Sequence, residues 1–404
     1  MKNNPAMNNS GNEKAGADRK PHILFLFSDT GGGHRAATES IIEALQLEFG
    51  DAVTTEMVDF LTDYAPPPSN RLPEFYPDLV RIPELWGVGF YISDGRSQAR
   101  IMTSTMYPLV RRAARRLVKE HPNDLLVSVH ALGTSFFLRA LGSKRPPFIT
   151  VVTDMVSTHA LWYDKRADLT LVPTEMARQR ALEYNMSPDK VIVVGQPVSE
   201  RCSAPIGDKK SLRSQFGWIF DKVTILLVGG GEGMGPLTET AIAIDESGLD
   251  VNLVIITGRN IKLKTELEAR SWDNPVHIYG FTRDMPDLMR AADVLVTKAG
   301  PGTIAEALIA SLPMILYSKL PGQEDGNVSF VESVGAGVWA PEPLQVVRTL
   351  TRWICRPQER SKVVENCRKA ARPDASRRIA RILGEQLNLW GGKIGSIPST
   401  SPDV

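Results

Sequence analysis

The sequence predicts an α/β protein made of two Rossmann-like domains that face one cleft. Short apolar runs alternate with stretches of helical periodicity, which is typical of parallel sheets covered by helices. The order strand, glycine loop, helix also occurs twice. An apolar run at 22–27 precedes the glycines at 31–33, and a run at 223–228 precedes a second glycine-rich loop at 229–235. Each repeat resembles the opening of a nucleotide-binding βαβ unit.

The remaining strands follow in order from their apolar runs, with helical stretches between them. They are predicted at 53–60, 125–129, 148–152, 169–172 and 191–194 in the first half, and at 251–257, 276–279, 294–297 and 313–317 in the second. The stretch 64–95 interrupts this alternation because it is rich in Pro, Tyr and Trp. We predict that it forms a long irregular segment, which serves as a lid over the acceptor side of the site or as a membrane loop, with plain packing as the alternative.

The strand–helix pattern restarts after a linker-like stretch at 197–210, which separates two domains. We place the first domain at 21–205 and the second at 206–389. The ends, 1–20 and 390–404, are rich in Asn, Gly, Ser and Pro and are predicted to be disordered.

Composition excludes several classes of protein. The 404 residues are 42% apolar and carry a formal net charge of +1, so no overall basic field favours nucleic acid. The three cysteines have no CxxC spacing and the six histidines form no HxxxH pair, which argues against a disulfide framework and a metal site. No apolar run approaches the roughly 20 residues of a membrane-spanning helix, and residues 1–20 show no secretory signal. We expect a protein that is soluble or sits on a membrane surface.

The most informative motif lies at 297–308, where a strand ends in a Gly-Pro-Gly turn that opens a helix. Free amides at Gly300, Gly302 and Thr303 would form an anion site suited to a diphosphate. Glu306, about one turn later, could accept two hydrogen bonds from a ribose diol. An ordinary tight turn with a glutamate near the helix start is the alternative.

A polar loop at 321–327 follows the last predicted strand. Its carboxylate and amide side chains, among them Gln323, Glu324 and Asn327, suit a sugar whose hydroxyls need donors and acceptors. A solvated turn is the alternative.

The glycine loop of the first domain permits two interpretations. Gly31, Gly33 and Ala36 match a dinucleotide fingerprint, and Asp59 could supply its acidic residue, which favours a nicotinamide enzyme. His34, however, would crowd a pyrophosphate at that helix start. The same position suits a neutral general base, because a helix N-terminus lowers the pKa of histidine.

Two features could contact lipid. Basic residues including Arg111 and Arg115 alternate with apolar ones over 107–119, which predicts an amphipathic helix seated on anionic lipid or simply solvated. Trp162 follows a predicted strand. It suits a membrane interface if exposed and a core position if buried.

Four segments together resemble the monogalactosyldiacylglycerol synthases, which belong to the glycosyltransferase group that also holds the muramyl-lipid N-acetylglucosaminyltransferase. The resemblance runs from about residue 23 to residue 383. The segments are SDTGGGHRAA at 28–37, GGGEGMGP at 229–236, TKAGPGTIAEA at 297–307 and GQEDGNV at 322–328.

This resemblance implies a GT-B fold, a UDP-sugar donor in the second domain and inversion at the anomeric carbon without a metal or other cofactor. It implies that His34 is the catalytic base, and we expect Asp154 to orient it. Glu306 would bind the ribose, while Gln323 and Glu324 would bind the sugar. The remaining implied donor contacts are Gly230, Gly231, Gly233, Phe281, Gly300, Gly302, Thr303 and Asn327. The acceptor or membrane contacts are Gly33, Pro67, Trp162, Arg111 and Arg115.

The implied reaction moves galactose from UDP-galactose to the sn-3 hydroxyl of 1,2-diacylglycerol. The implied partners are UDP-galactose or UDP-glucose, diacylglycerol and anionic membrane lipids, with no nucleic acid. We expect a peripheral protein on the cytoplasmic face of a membrane or on a plastid envelope. The alternatives are a UDP-glucose diacylglycerol glucosyltransferase, an NAD-dependent oxidoreductase and a non-catalytic UDP-sugar-binding regulator.

Overall fold

The computed structural model describes residues 19–389, except 31, 81, 206, 232 and 234, and describes only the backbone of residues 77–80. The predicted disorder at 1–20 and 390–404 therefore lies, apart from residues 19 and 20, outside the described residues. None of the described helices combines the length and the apolar content that crossing a bilayer requires.

The first half of the chain forms a parallel sheet of six strands in the order β2-β1-β3-β4-β5-β6. The strands are β1 His22–Phe27, β2 Thr54–Asp59, β3 Leu125–Ser128, β4 Phe148–Val151, β5 Leu169–Val172 and β6 Val191–Val193. Ile23 and Phe25 pack into the core on one face of this sheet, and Leu24 and Leu26 pack into the core on the other. Burial on both faces explains why β1 is a continuous apolar run.

Among the described residues, eight α-helices lie between the strands of this sheet. They are α1 Gly33–Phe49, α2 Phe60–Tyr64, α3 Leu72–Val80, α4 Pro83–Ser93, α5 Arg96–Thr105, α6 Tyr107–Glu120, α7 Ala131–Leu141 and α8 Glu175–Glu183.

The second half forms another parallel six-stranded sheet, in the order β12-β11-β10-β7-β8-β9. Its strands are β7 Val223–Val228, β8 Val251–Ile256, β9 Val276–Tyr279, β10 Val294–Lys298, β11 Met314–Ser318 and β12 Gly337–Trp339. Its helices are α9 Lys209–Gln215, α10 Leu237–Asp245, α11 Ile261–Glu268, α12 Met285–Ala291, α13 Pro301–Ile309, α14 Asp325–Ser333, α15 Pro343–Cys355, α16 Pro357–Ala370 and α17 Ala375–Gln386. The predicted architecture of two parallel sheets with helices is confirmed.

The prediction of an irregular segment at 64–95 is wrong, because most of these residues are helical. Pro73 is the second residue of α3 and Pro83 is the first residue of α4. A proline is tolerated there because the first helical turn does not use its own amide hydrogens. Tyr76 and Trp86 pack edge to face across the two helices, with ring centroids 5.4 Å apart.

The last helix, α17, belongs by packing to the first domain, although the predicted boundary assigns it to the second. Ile379 and Leu383 join the core formed on β1. Both oxygens of Glu48 on α1 accept hydrogen bonds of 3.0 Å from Arg381. The chain therefore crosses between the domains twice, and its C-terminal helix ties the two halves together.

Candidate active site

A cavity of about 620 Å³ lies between the two domains, beside the carboxyl ends of strands from both sheets. Ligands of open α/β sheets bind at such edges. The first domain contributes Thr30, Gly33, His34, Thr153, Asp154 and Gln196, among others. The second contributes Gly230, Gly231, Lys298, Gly300, Gly302, Thr303, Glu306, Gln323 and Glu324.

His34 stands in the first turn of α1, facing this cavity. Gly32 precedes the helix with φ of +80°, a conformation that glycine adopts without strain. The His34 ring packs on the ring of His130 with centroids 4.4 Å apart, and its Nδ1 lies 2.9 Å from the Thr153 hydroxyl. The ring is therefore fixed by a glycine turn, a packing partner and a hydrogen bond.

Burial lowers the pKa of His34 below its usual value, while the nearby Asp154 carboxylate acts in the opposite direction. His130 is held neutral more firmly, because burial and the neighbouring His34 both lower its pKa. Its Nδ1 also accepts a hydrogen bond of 3.2 Å from the Leu132 amide, so that nitrogen carries no proton. A neutral His34 can accept a proton at neutral pH.

Asp154 does not orient His34 in the way the sequence predicted. One carboxylate oxygen accepts a hydrogen bond of 2.6 Å from Trp162 Nε1, and the other accepts one of 3.0 Å from Gln323 Nε2. Asp154 therefore links the two domains across the cavity. The orienting contact comes from Thr153, which is not one of the predicted site residues.

The prediction that Trp162 contacts acceptor lipid or membrane is wrong. The residue is 0% exposed, and its ring lies behind His34 with centroids 6.1 Å apart. Its indole N–H is satisfied by Asp154, which allows this large side chain to be buried. Trp162 supports the site from within the first domain.

Two glycine positions of the second domain surround the side chain of Lys298. A Cβ atom added to Gly230 would lie 2.9 Å from Lys298 Cε, and one added to Gly300 would lie 3.3 Å from Nζ. The ammonium group donates a hydrogen bond of 2.5 Å to Glu324, whose other oxygen accepts one of 2.8 Å from the Leu320 amide. Lys298 therefore stands between the two predicted phosphate-binding loops. The motif alone does not predict this role, although Lys298 ends the strand before the Gly-Pro-Gly turn.

The charges that line the cavity are unequal. Lys298 is the only Lys or Arg among the described residues of the lining, whereas five carboxylates face it. Burial raises the pKa of Glu306 to about 7. A ribose diol that donates hydrogen bonds to this carboxylate would favour its ionised form. The carboxylates are Glu39, Glu43, Asp154, Glu306 and Glu324.

Three predicted donor contacts lie outside the lining. Gly233 packs on the end of β8, where an added Cβ would lie 2.8 Å from the Thr257 carbonyl oxygen. Asn327 is buried and donates a hydrogen bond of 2.9 Å to the Ala299 carbonyl, so it supports the Gly-Pro-Gly turn from behind. Phe281 is exposed, with the Arg259 guanidinium 5.8 Å from its ring centroid. Direct donor contact by Gly233 or Asn327 does not fit these positions.

The predicted acceptor and membrane residues are dispersed. Gly33 lines the cavity, while Pro67 is exposed before α3. Arg111 and Arg115 are exposed on α6, where Arg115 also donates a hydrogen bond of 3.3 Å to the Ala140 carbonyl. Their contact with lipid stays a prediction. The described part of the chain holds no group of three or more His, Cys, Asp or Glu side chains placed to bind a metal.

The position of Asp59 argues against the dinucleotide interpretation. Its carboxylate accepts hydrogen bonds from the backbone amides of Asp29, Leu61 and Thr62, at 3.0, 3.2 and 3.1 Å. These bonds hold the β1 loop and cap α2. An acidic residue that binds a ribose would need to present its oxygens to the ligand.

Two family models match the chain. The model of monogalactosyldiacylglycerol (MGDG) synthase matches residues 34–198, and that of the glycosyltransferase family 28 C-terminal domain matches residues 224–354. The chain is 37% identical to a probable chloroplastic monogalactosyldiacylglycerol synthase of Glycine max over 382 residues, which cover 91% of this chain and 72% of the relative. It is 36% identical to the chloroplastic monogalactosyldiacylglycerol synthase 1 of Arabidopsis thaliana, covering 95% and 74% of the two chains.

Solved structures share the fold at lower identity. MurG of Acinetobacter baumannii aligns with a TM-score of 0.59 at 16% identity, covering 90% of this chain and 99% of its own. Anabaena Alr3699/HepE in complex with UDP aligns with a TM-score of 0.55 at 15% identity, covering 91% and 99%. These likenesses show that the two sheets form a GT-B fold. The sequence relatives go further, and by them the chain belongs to the monogalactosyldiacylglycerol synthase family of glycosyltransferases.

Proposed function

We propose that this chain transfers galactose from UDP-galactose to the sn-3 hydroxyl of 1,2-diacylglycerol, with inversion at the anomeric carbon and without a metal. The observation that carries the proposal is the cavity between the domains. One wall presents the neutral imidazole of His34, and the other presents glycine turns around Lys298. A base and an anion site on opposite walls suit an in-line displacement between them.

In the proposed reaction the acceptor oxygen attacks the anomeric carbon while His34 removes its proton. The Thr153 hydroxyl would accept the Nδ1 hydrogen, which leaves Nε2 as the basic nitrogen. The bond from the anomeric carbon to the UDP oxygen breaks, and the diphosphate takes the electron pair. Lys298 and the amides of Gly302 and Thr303 in the first turn of α13 would stabilise this charge. The Gly300 amide, which the sequence predicted to be free, instead donates a hydrogen bond of 2.8 Å to the Lys298 carbonyl.

The sugar would lie between Asp154 and the loop of Gln323 and Glu324. Gln323 already forms a hydrogen bond to Asp154 across the cavity, and Glu324 accepts one from Lys298 within the second domain. Hydroxyl groups of a hexose could replace or join those bonds. Galactose and glucose differ at one hydroxyl, so UDP-glucose is the alternative donor.

A purified protein assay with diacylglycerol vesicles tests this proposal. UDP-galactose and UDP-glucose are supplied separately, and the lipid product and its anomeric configuration are identified by NMR. We expect a β-galactolipid from UDP-galactose. His34→Ala should lower kcat by about 10²–10⁴-fold, the usual contribution of a general base, while the surface variant Leu47→Ser should be unaffected.

A glucolipid as the main product would show that the donor is UDP-glucose. An α-linked product would refute inversion. Near-normal transfer by His34→Ala would refute the catalytic base.

We also propose that helices α3 to α5 dock on an anionic bilayer. They carry a surface of exposed apolar side chains, and the neighbouring helix α6 is basic, which together suit a lipid surface of negative charge. Tyr76 of α3 lines the cavity, so lipid bound at this surface would lie beside the site. The exposed apolar residues are Leu72, Phe75, Ile82, Leu85, Val88, Ile92 and Ile101.

Vesicle flotation with two matched variants tests the docking surface. Leu85 is 54% exposed on α4, and Leu47 is 55% exposed on α1. Because burying a leucine contributes about 1.5–3 kcal/mol, Leu85→Ser should weaken binding to anionic vesicles roughly tenfold or more, whereas Leu47→Ser should not. Equal effects of the two variants would contradict this surface.

A further inference from the structure

Helix α4 has two faces with different neighbours. Leu85, Val88 and Ile92 recur at helical spacing on one side and are exposed. Gly87 and Phe90 contact the second domain instead, at the segment 319–326, which we call the donor loop. The helix therefore lies between the proposed lipid surface and the loop that carries Gln323 and Glu324.

The contact between α4 and the donor loop is close. A Cβ atom added to Gly87 would lie 2.8 Å from Pro321 Cβ. One added to Gly322, whose φ is +82°, would lie 2.6 Å from Phe90 Cδ1. A side chain at either glycine would therefore meet the opposing surface, and the positive φ of Gly322 also favours glycine.

A polar contact fixes the register of this packing. Tyr91 donates a hydrogen bond from its hydroxyl to Asp325 Oδ2, and the same oxygen accepts one of 2.9 Å from the Gly322 amide. Lys319 Nζ lies 2.8 Å from Asp325 Oδ1. Asp325 thus joins the donor loop to itself and to α4.

On the side that faces the cavity, the same loop contacts residues of the proposed active site. Gln323 bonds to Asp154 of the first domain, and Glu324 bonds to Lys298. A change in how α4 sits against the loop would therefore alter the sugar and diphosphate positions directly.

We propose that Tyr91 and Asp325 are positioning residues that couple lipid docking to donor binding. Docking of α4 on a bilayer holds the donor loop in its binding arrangement, so a membrane surface raises the affinity for UDP and UDP raises the affinity for the membrane. This reciprocity follows from thermodynamic linkage. The inference rests on the proposed function for the identity of the loop's ligand.

The test is equilibrium binding of UDP to the full chain, with and without anionic vesicles that lack diacylglycerol. We expect vesicles to tighten UDP binding by about fivefold, at the lower end of ordinary coupling. Tyr91→Phe should abolish that gain while flotation with vesicles stays unchanged. Asp325→Asn should reduce it from the other side of the contact.

Tyr107→Phe is the matched control. Tyr107 begins the neighbouring basic helix, and its hydroxyl has no hydrogen-bond partner among the described residues. It should behave as the wild type. In the transfer assay, Tyr91→Phe should raise KM for the UDP-sugar about fivefold on vesicles and leave kcat nearly unchanged.

The outcomes separate this inference from the proposed reaction. UDP binding needs no turnover and is common to both candidate donors, so the coupling can be supported even where the transferred sugar is glucose. A vesicle effect that persists in Tyr91→Phe, or is absent in the wild type, would overturn the coupling alone. Loss of flotation by Tyr91→Phe would place the hydroxyl at the lipid surface and also overturn it. Failure of UDP to bind at all would overturn both proposals.

Discussion

The two domains use the same local structure for opposite purposes. In each, a buried parallel strand ends in a glycine turn that opens a helix facing the cavity. At α1 the first helical turn is occupied by the imidazole of His34. At α13 the corresponding position is open, since a Cβ added to Gly302 would have no neighbouring atom within 4 Å. A helix start can therefore hold a base or accept an anion, depending on whether a side chain occupies it.

Among the described residues that line the cavity, the second domain contributes a cation and the first contributes none. The first-domain wall of the cavity carries Glu39, Glu43 and Asp154, whereas Lys298 stands in the second-domain wall. Helix amides supply only partial charges. A leaving diphosphate among so many carboxylates would need the full charge of Lys298.

Of the changes that test this comparison, removing the charge of Lys298 should have the largest effect on the transfer rate. We expect Lys298→Met to lower kcat about 10²–10³-fold, the typical loss when a group that stabilises developing charge is deleted. The reaction is followed as galactolipid formed from UDP-galactose on diacylglycerol vesicles. Lys262→Met removes an exposed lysine of α11 and serves as the control.

Two results would contradict this role. An unchanged kcat in Lys298→Met would show that the helix amides alone are sufficient to stabilise the leaving diphosphate. Recovery of activity in Lys298→Met by Glu324→Gln would indicate that the lysine serves only to neutralise its partner.

Much of the fold follows from the sequence because most of the strands are buried on both faces, although β2 and β9 are largely half-buried. The apolar runs give strands β1 to β11 to within one residue of their observed ends, whereas the three-residue strand β12 was not predicted. Helices α3 and α4 were missed since their Pro, Tyr and Trp content is typical of loops, and their exposed apolar residues obscure a helical pattern. The place of α17 depends on packing against α1, which no local pattern records.

The site divides in the same way. His34, Glu306 and the glycine turns lie in local motifs, and the structure brings them to one cavity. The importance of Lys298 and Thr153 arises from contacts with residues distant in sequence, so spacing alone did not identify them. Trp162 shows the converse, because a motif position suggested the surface whereas a hydrogen bond to Asp154 permits burial.

The orientation of the base is the finer test of the first-domain wall. Thr153→Val keeps the shape of the side chain but removes the hydroxyl beside His34 Nδ1. Losing a hydrogen bond worth about 1–1.5 kcal/mol corresponds to roughly a tenfold lower kcat. KM for the UDP-sugar should stay unchanged. Thr153→Ser, which keeps the hydroxyl, should have nearly the wild-type rate.

The pH profile distinguishes orientation from a change in basicity. Because valine has nearly the shape of threonine, we expect burial, the main cause of the lowered His34 pKa, to be similar in Thr153→Val. As the pH falls past 6.5, the ordinary histidine pKa, kcat should stay constant. It should decline only when the pH passes through the lowered pKa of His34, because the base then becomes protonated. In Thr153→Val we expect a lower plateau with the same acid limb. If the limb moves while the plateau is kept, Thr153 sets the proton affinity of His34 rather than its orientation, and if serine fails to restore the rate, the hydroxyl is not the group that matters.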